Sequence, residues 1–132
     1  MTAAFTKEKK VWGTVEHYKY DEWCGVSRLT LLPDTFCSVH RHRQRVNSFL
    51  IIKGRVDILT FGAGEEPAMT PNNAIHLEAG ALRYIQIPKD VWHQFRVIDP
   101  SEMIEVYYPQ DEGDIVSFDD IDRFSLGGTS RA

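Results

Sequence analysis

Three histidines and an asparagine are spaced to meet at one metal ion. His40 and His42 stand two apart in a segment of strand character. Successive side chains of a strand leave opposite faces, so these two imidazoles leave the same face. Two imidazoles side by side can chelate one divalent cation. Asn47 opens a β-branched and aromatic run that Gly54 closes with a turn signal. His93 follows Pro88, where a further strand is expected to begin. If the strands close into a barrel, His40, His42 and His93 can converge as metal ligands, with Asn47 beside the ion as a weak fourth ligand or as a neighbour that does not touch it. Imidazole suits zinc, copper, iron and nickel, whereas carboxylate shifts preference towards harder ions such as manganese. An amide oxygen coordinates more weakly than a carboxylate, so the expectation is a three-histidine site with open water positions. The cofactor expected is one divalent ion: Zn, Mn, Fe or Ni. The competing reading is a cavity of hydrogen-bonded, metal-free histidines.

Such a site needs several strands to carry it, and the chain has the material. Its 132 residues correspond to one domain, large enough to bury a core without staples. Short β-branched and aromatic runs, frequent turn residues and no sustained helical period argue for an all-β fold. The core is expected over about 11–124, with a loose arm over 1–10 and a fraying tail over 125–132. A net charge of −4 argues against a nucleic-acid or membrane partner. No apolar run approaches the roughly 20 residues of a membrane span. Cys24 and Cys37 are too few for a disulfide framework, and no secretory leader is visible. A cytoplasmic protein with free thiols is the expectation.

Alternation assigns faces along each run. Leu29 and Leu31 turn to the core and Arg28 outward. Ser38, His40 and His42 share one face; Cys37, Val39 and Arg41 share the other, which makes Cys37 a packing residue and not a ligand. Arg41, Arg43, Gln44 and Arg45 form a basic knot around a hairpin, either a solvated edge or an anion site at the barrel mouth. Asn47, Phe49, Ile51 and Lys53 share a face, as do Met103, Glu105 and Tyr107. His76 lies off these patterns and reads as a surface residue.

These residues also carry a family resemblance. His40-x-His42, four residues, Asn47, six residues and Gly54 resemble the first motif of the cupins, with Asn47 at the usual Glu. Pro88-Lys89-Asp90-Val91-Trp92-His93 resembles their second motif, with Asp90 at the usual Gly. The implied fold is a double-stranded β-helix, a jelly-roll barrel with the metal inside. Lys10-Val11-Trp12-Gly13-Thr14-Val15-Glu16 resembles the opening of the cupin domain of type II mannose-6-phosphate isomerases. Ile104-Glu105-Val106-Tyr107 and Asp114-Ile115-Val116-Ser117-Phe118-Asp119-Asp120 resemble later stretches of that domain. Ser27 and Ser117 depart from it, each replacing a cation that relatives carry.

The resemblance implies a metal-dependent isomerase of a small sugar or sugar phosphate. In that reading Glu105 points into the cavity as the catalytic acid/base, and Lys53, Tyr107 and Arg123 bind substrate. Alternation alone leaves Glu105 equally well on an exposed face. Two further readings stand beside the isomerase: a non-catalytic sugar- or metabolite-binding barrel, and a three-histidine iron dioxygenase. A homodimer is expected, by strand addition at open edges.

Overall fold

The computed structural model describes residues 6–20, 23–43, 45–108, 115–117 and 127–129. Every strand pairing among them is antiparallel. The strands are β1 Thr6–Lys10, β2 Gly13–Tyr20, β3 Gly25–Leu31, β4 Thr35–Cys37, β5 His40–His42, β6 Val46–Lys53 and β7 Arg55–Thr60. They continue with β8 Asn73–Glu78, β9 Tyr84–Ile87, β10 His93–Val97, β11 Ser101–Tyr108, β12 Ile115–Ser117 and β13 Gly127–Thr129. One sheet runs β1-β2-β3-β11-β6-β9. In the other, β10 pairs with β4 and β5 as well as with β7, and β7 carries β8.

The two sheets bury their alternating inward residues against each other. Val15, Leu29, Leu31, Phe49, Ile51 and Met103 come from the first sheet, and Val56, Ile58, Leu77, Phe95 and Val97 from the second. Each such side chain contributes roughly 1.5–3 kcal/mol when fully buried. Leu29 and Leu31 are inward, as alternation requires, with Arg28 outward on an ion pair to Glu102. Val39, Phe61 and Trp92 form a smaller cluster.

Three expectations need correction. Residues 6–10 are not a loose arm: β1 pairs with β2 over Thr6↔His17 to Lys10↔Gly13. Within the tail expected to fray, the described residues Gly127–Thr129 pair with β4. The third concerns strand parity. The segment 35–42 is not one continuous strand; it breaks at Ser38 and Val39, between β4 and β5. That break lets Cys37 and His40 both line the same cavity, so Cys37 does not face away from it. Val39 and Arg41 do turn to the other side, where Arg41 stacks on Trp92.

Two turns hold the motif strands in place. Gly54 joins β6 to β7 at φ 88°, and a Cβ there would sit 2.2 Å from Ser101 Oγ. Asp90 takes φ 64°, a left-handed conformation that Asp tolerates better than most residues, so this turn forms without a glycine. Its backbone N–H donates to the His42 carbonyl at 2.7 Å, tying the second motif to the first.

Candidate functional site

The barrel encloses a cavity of about 340 Å³. His40 and His42 enter it from β5. His93, the first residue of β10, lies directly opposite His40 in the ladder. Their ring centres stand 4.4 to 5.7 Å apart, and one ligand atom from each lies within 4.8 Å of the others. The expected three-histidine cluster is therefore present.

Its chemistry is that of neutral imidazoles. Burial, the largest cause, holds all three rings below the usual histidine pKa, with His93 near 3. Neutral rings keep lone pairs at neutral pH. His40 Nδ1 lies 2.9 Å from the Ser38 carbonyl, and His93 Nδ1 lies 2.9 Å from the Val91 carbonyl. Carbonyls only accept, so each Nδ1 carries the proton and each Nε2 the lone pair. Metal-binding histidines are commonly oriented this way. His93 Nε2 is buried with no hydrogen-bond partner. A buried, unsatisfied acceptor is costly unless something fills its lone pair. The donor set thus fits a divalent cation.

The other expected site residues separate. Glu105 lines the cavity from β11, and Tyr107 lines it two residues on. Burial raises the Glu105 carboxyl to about 7, against the opposing positive charge of Arg45. Asn47 is fully buried beside it, and its Nδ2 donates to Glu105 Oε2 at 2.9 Å. Asn47 Oδ1 is buried with no hydrogen-bond partner. Lys53 is not at the cavity. It is six residues from Asn47 along an extended strand, roughly 20 Å. Its side chain is solvent-exposed beside Glu102. It has the parity of Asn47 in sequence, but the ladder with β11 skips Ile52, pairing Ile51 with Met103 and Lys53 with Glu102, and this irregularity turns Lys53 to the outer face. Arg123 lies outside the described residues.

The basic knot also divides. Arg43 is exposed. Arg41 is buried, donating to the Gly64 carbonyl at 2.8 Å and lying over the Trp92 ring. It braces a loop and is no solvated edge residue. Arg45 enters the cavity, with Nε 2.9 Å from His42 Nδ1 and its guanidinium over the Tyr107 ring. Gly25 permits this wall: a Cβ there would fall 2.2 Å from the Tyr107 ring.

Sequence reasoning missed His17. It lines the cavity from β2, with Nδ1 2.9 Å from Ser27 Oγ and Nε2 3.0 Å from Glu8 Oε1. The signal was available, since His17 has the parity of Val15, a core residue. Glu8 and Lys10 reach the same cavity because β1 is ordered against β2. Trp12 lines it too and meets Phe95 edge-on at 5.0 Å. Cys37 adds a thiol that burial pushes up to about 12, a protonated packing group and not a thiolate. His76 is on the surface, 2.7 Å from Asp57.

No family model matches this chain, and no curated protein does. Solved structures match it closely in shape. A Streptomyces PAC13 variant with uridine superposes at TM-score 0.69 and 14% identity, over 92% of this chain and 87% of that one. Pac13, described as a unique nucleoside dehydratase, matches at 0.69 and 14% over 95% and 94%. KdgF from Halomonas matches at 0.65 and 10% over 82% and 91%. CapF from Staphylococcus aureus, a capsular polysaccharide assembling protein, matches at 0.66 and 15%; 89% of this chain covers 35% of it. At these identities the likeness establishes the fold. The chain has a cupin-like, all-β barrel.

Proposed function

We propose that this barrel is a metal-dependent enzyme that moves a proton next to a carbonyl of a small polyhydroxylated substrate, a sugar or a sugar-like compound. One observation carries the reading: Glu105, its pKa raised to about 7, lines the same cavity as the three-histidine cluster. A carboxyl that titrates near the working pH is suited to both taking and returning a proton. A divalent ion held by His40, His42 and His93 would supply a Lewis acid for a substrate oxygen. Asn47 holds Glu105 by one oxygen, Oε2, which leaves Oε1 to meet the substrate carbon-bound proton. Tyr107 and Trp12 give the cavity flat walls for a ring, and His17 gives it a polar one. A volume of about 340 Å³ is at the small end of ligand pockets, of which 300–1,000 Å³ is typical.

Aldose–ketose isomerisation is the specific reaction we assign, because it needs one base that serves adjacent carbons. Pac13 supports the choice of substrate class, being a dehydratase of a nucleoside, itself a sugar derivative. A phosphate on the substrate is favoured less than the hydroxyls, because Lys53 stands outside the cavity, Lys10 is paired with Glu8 at 3.1 Å, and Arg45, the cation inside, is held on His42 and the Tyr107 ring.

Solvent exchange tests the proposal. Zinc- or manganese-loaded protein is incubated in D₂O with a panel of aldoses, ketoses and their phosphates, and deuterium at the carbon beside the carbonyl is followed by NMR. Exchange that Glu105→Gln abolishes supports the reading. Binding without exchange makes the barrel a non-catalytic binder.

A further inference from the structure

Arg45 is set against the metal site that surrounds it. Its Nε lies 2.9 Å from His42 Nδ1, and its guanidinium carbon lies 4.3 Å from the centre of the Tyr107 ring. A guanidinium donates hydrogen bonds, never accepts them, and stays charged. His42 Nδ1 must therefore present its lone pair to Arg45. In a neutral imidazole the proton is then on Nε2. His40 and His93 have the opposite arrangement, with Nδ1–H on backbone carbonyls and Nε2 open. Two of the three histidines are thus preset to ligate through Nε2, and the third is not.

Neither nitrogen of His42 resolves the conflict. Ligation through Nδ1 would put the ion where the Arg45 N–H stands. Ligation through Nε2 needs the proton moved to Nδ1, where it would oppose the Arg45 N–H, donor against donor. Arg45 also places a fixed positive charge in the cavity, felt by His40, His42, His93 and Glu105. A dication entering the same space meets like charge.

We propose that Arg45 and a divalent cation are alternative partners of His42, so that the three-histidine set is complete only when Arg45 withdraws. This rests on the metal-site reading above. It makes Arg45 a residue that weakens metal affinity, in the place where metal sites ordinarily carry a supporting carboxylate or carbonyl.

Two measurements test it. The first needs no mutation: nitrogen NMR of the metal-free, full-length protein reports the histidine tautomers. The expected pattern is His42 protonated on Nε2, with His40 and His93 on Nδ1. His42 protonated on Nδ1 overturns the proposal. The second is calorimetric titration of metal-stripped protein with zinc and with manganese. Arg45→Met keeps an apolar stem on Tyr107 and removes donor and charge; it should bind about tenfold or more tightly, the scale on which supporting residues act. Arg45→Lys, which keeps the charge, should fall between. Arg43→Met, at an exposed position, should match wild type. If Arg45→Met binds no more tightly than wild type, the proposal fails while the metal site stands. If neither wild type nor Arg45→Met binds metal, both the proposal and the metal site fail.

Discussion

Asn47 and Glu105, fifty-eight residues apart in sequence, form one unit: the Asn47 amide donates to the Glu105 carboxylate at 2.9 Å. They come from neighbouring strands, β6 and β11, whose ladder pairs Asn47 with Tyr107 and Phe49 with Glu105. Asn47 is thereby the group that orients the candidate base.

Removing that donor should raise the Glu105 pKa further. A hydrogen bond donated to a carboxylate favours its charged form, and loss of the bond disfavours it. Asn47→Leu should therefore raise the Glu105 titration relative to wild type. Carbon-detected NMR titration of the Glu105 carboxyl checks this. An unchanged or lower value would mean that the bond does not stabilise the charged carboxylate.

Glu105 should also leave a mark on stability against pH. Its folded pKa is raised from 4.5 to about 7, so between these values the native state holds more protons than the unfolded chain. Stability from this group is then present below about pH 4.5 and is lost as pH rises to about 7, an effect on the order of 3 kcal/mol. Glu105→Gln should escape the loss. The melting temperature of Glu105→Gln relative to wild type should climb from pH 4.5 to 7 and level off above. A difference that does not depend on pH would show that the carboxyl is not perturbed.

Metal should stabilise the folded protein through the three histidines. A ligand that binds only the native state raises the unfolding free energy by RT ln(1 + [L]/Kd). Zinc should raise the wild-type melting temperature, and chelation should reverse the rise. His93→Ala should lose it, with affinity falling by at least the 10–100-fold that supporting residues cost. His76→Ala should keep it, because that ring is on the surface beside Asp57. Equal responses from the two variants would place the metal elsewhere.

Gly25 should resist substitution. A Cβ at that position would lie 2.2 Å from the Tyr107 ring, which is itself buried between β3 and Arg45. Gly25→Ala should destabilise by about 1–3 kcal/mol, the range for overpacking. Thermal melts give the magnitude, and a change in Tyr107 ring resonances shows the displacement. A neutral effect would mean that the ring has room to move.

Part of the histidine cluster was legible in the sequence because it depends on a local rule. His40 and His42 share a face by the two-residue period of a strand, and that period survives within β5. Val26–Leu31, Phe49–Ile51 and Met103–Tyr107 likewise alternate as their residue types require, with Leu29, Ile51 and Met103 in the core; that Glu105 lines the cavity, which alternation left open, only the barrel decided. Where alternation was carried across a hidden break it failed: Cys37 and His40 have opposite parity, yet the interruption at Ser38 and Val39 turns both into the cavity. Parity failed a second time at the end of β6, where the ladder skips Ile52 between Met103↔Ile51 and Glu102↔Lys53, so Lys53 turns outward to Glu102 and misses the site. Pairings between distant segments were beyond any local rule. Only the closed sheets set Asn47 on Glu105, His17 between Ser27 and Glu8, and Arg45 on His42, because hydrogen bonds between side chains far apart in sequence exist only once the barrel has brought their strands together.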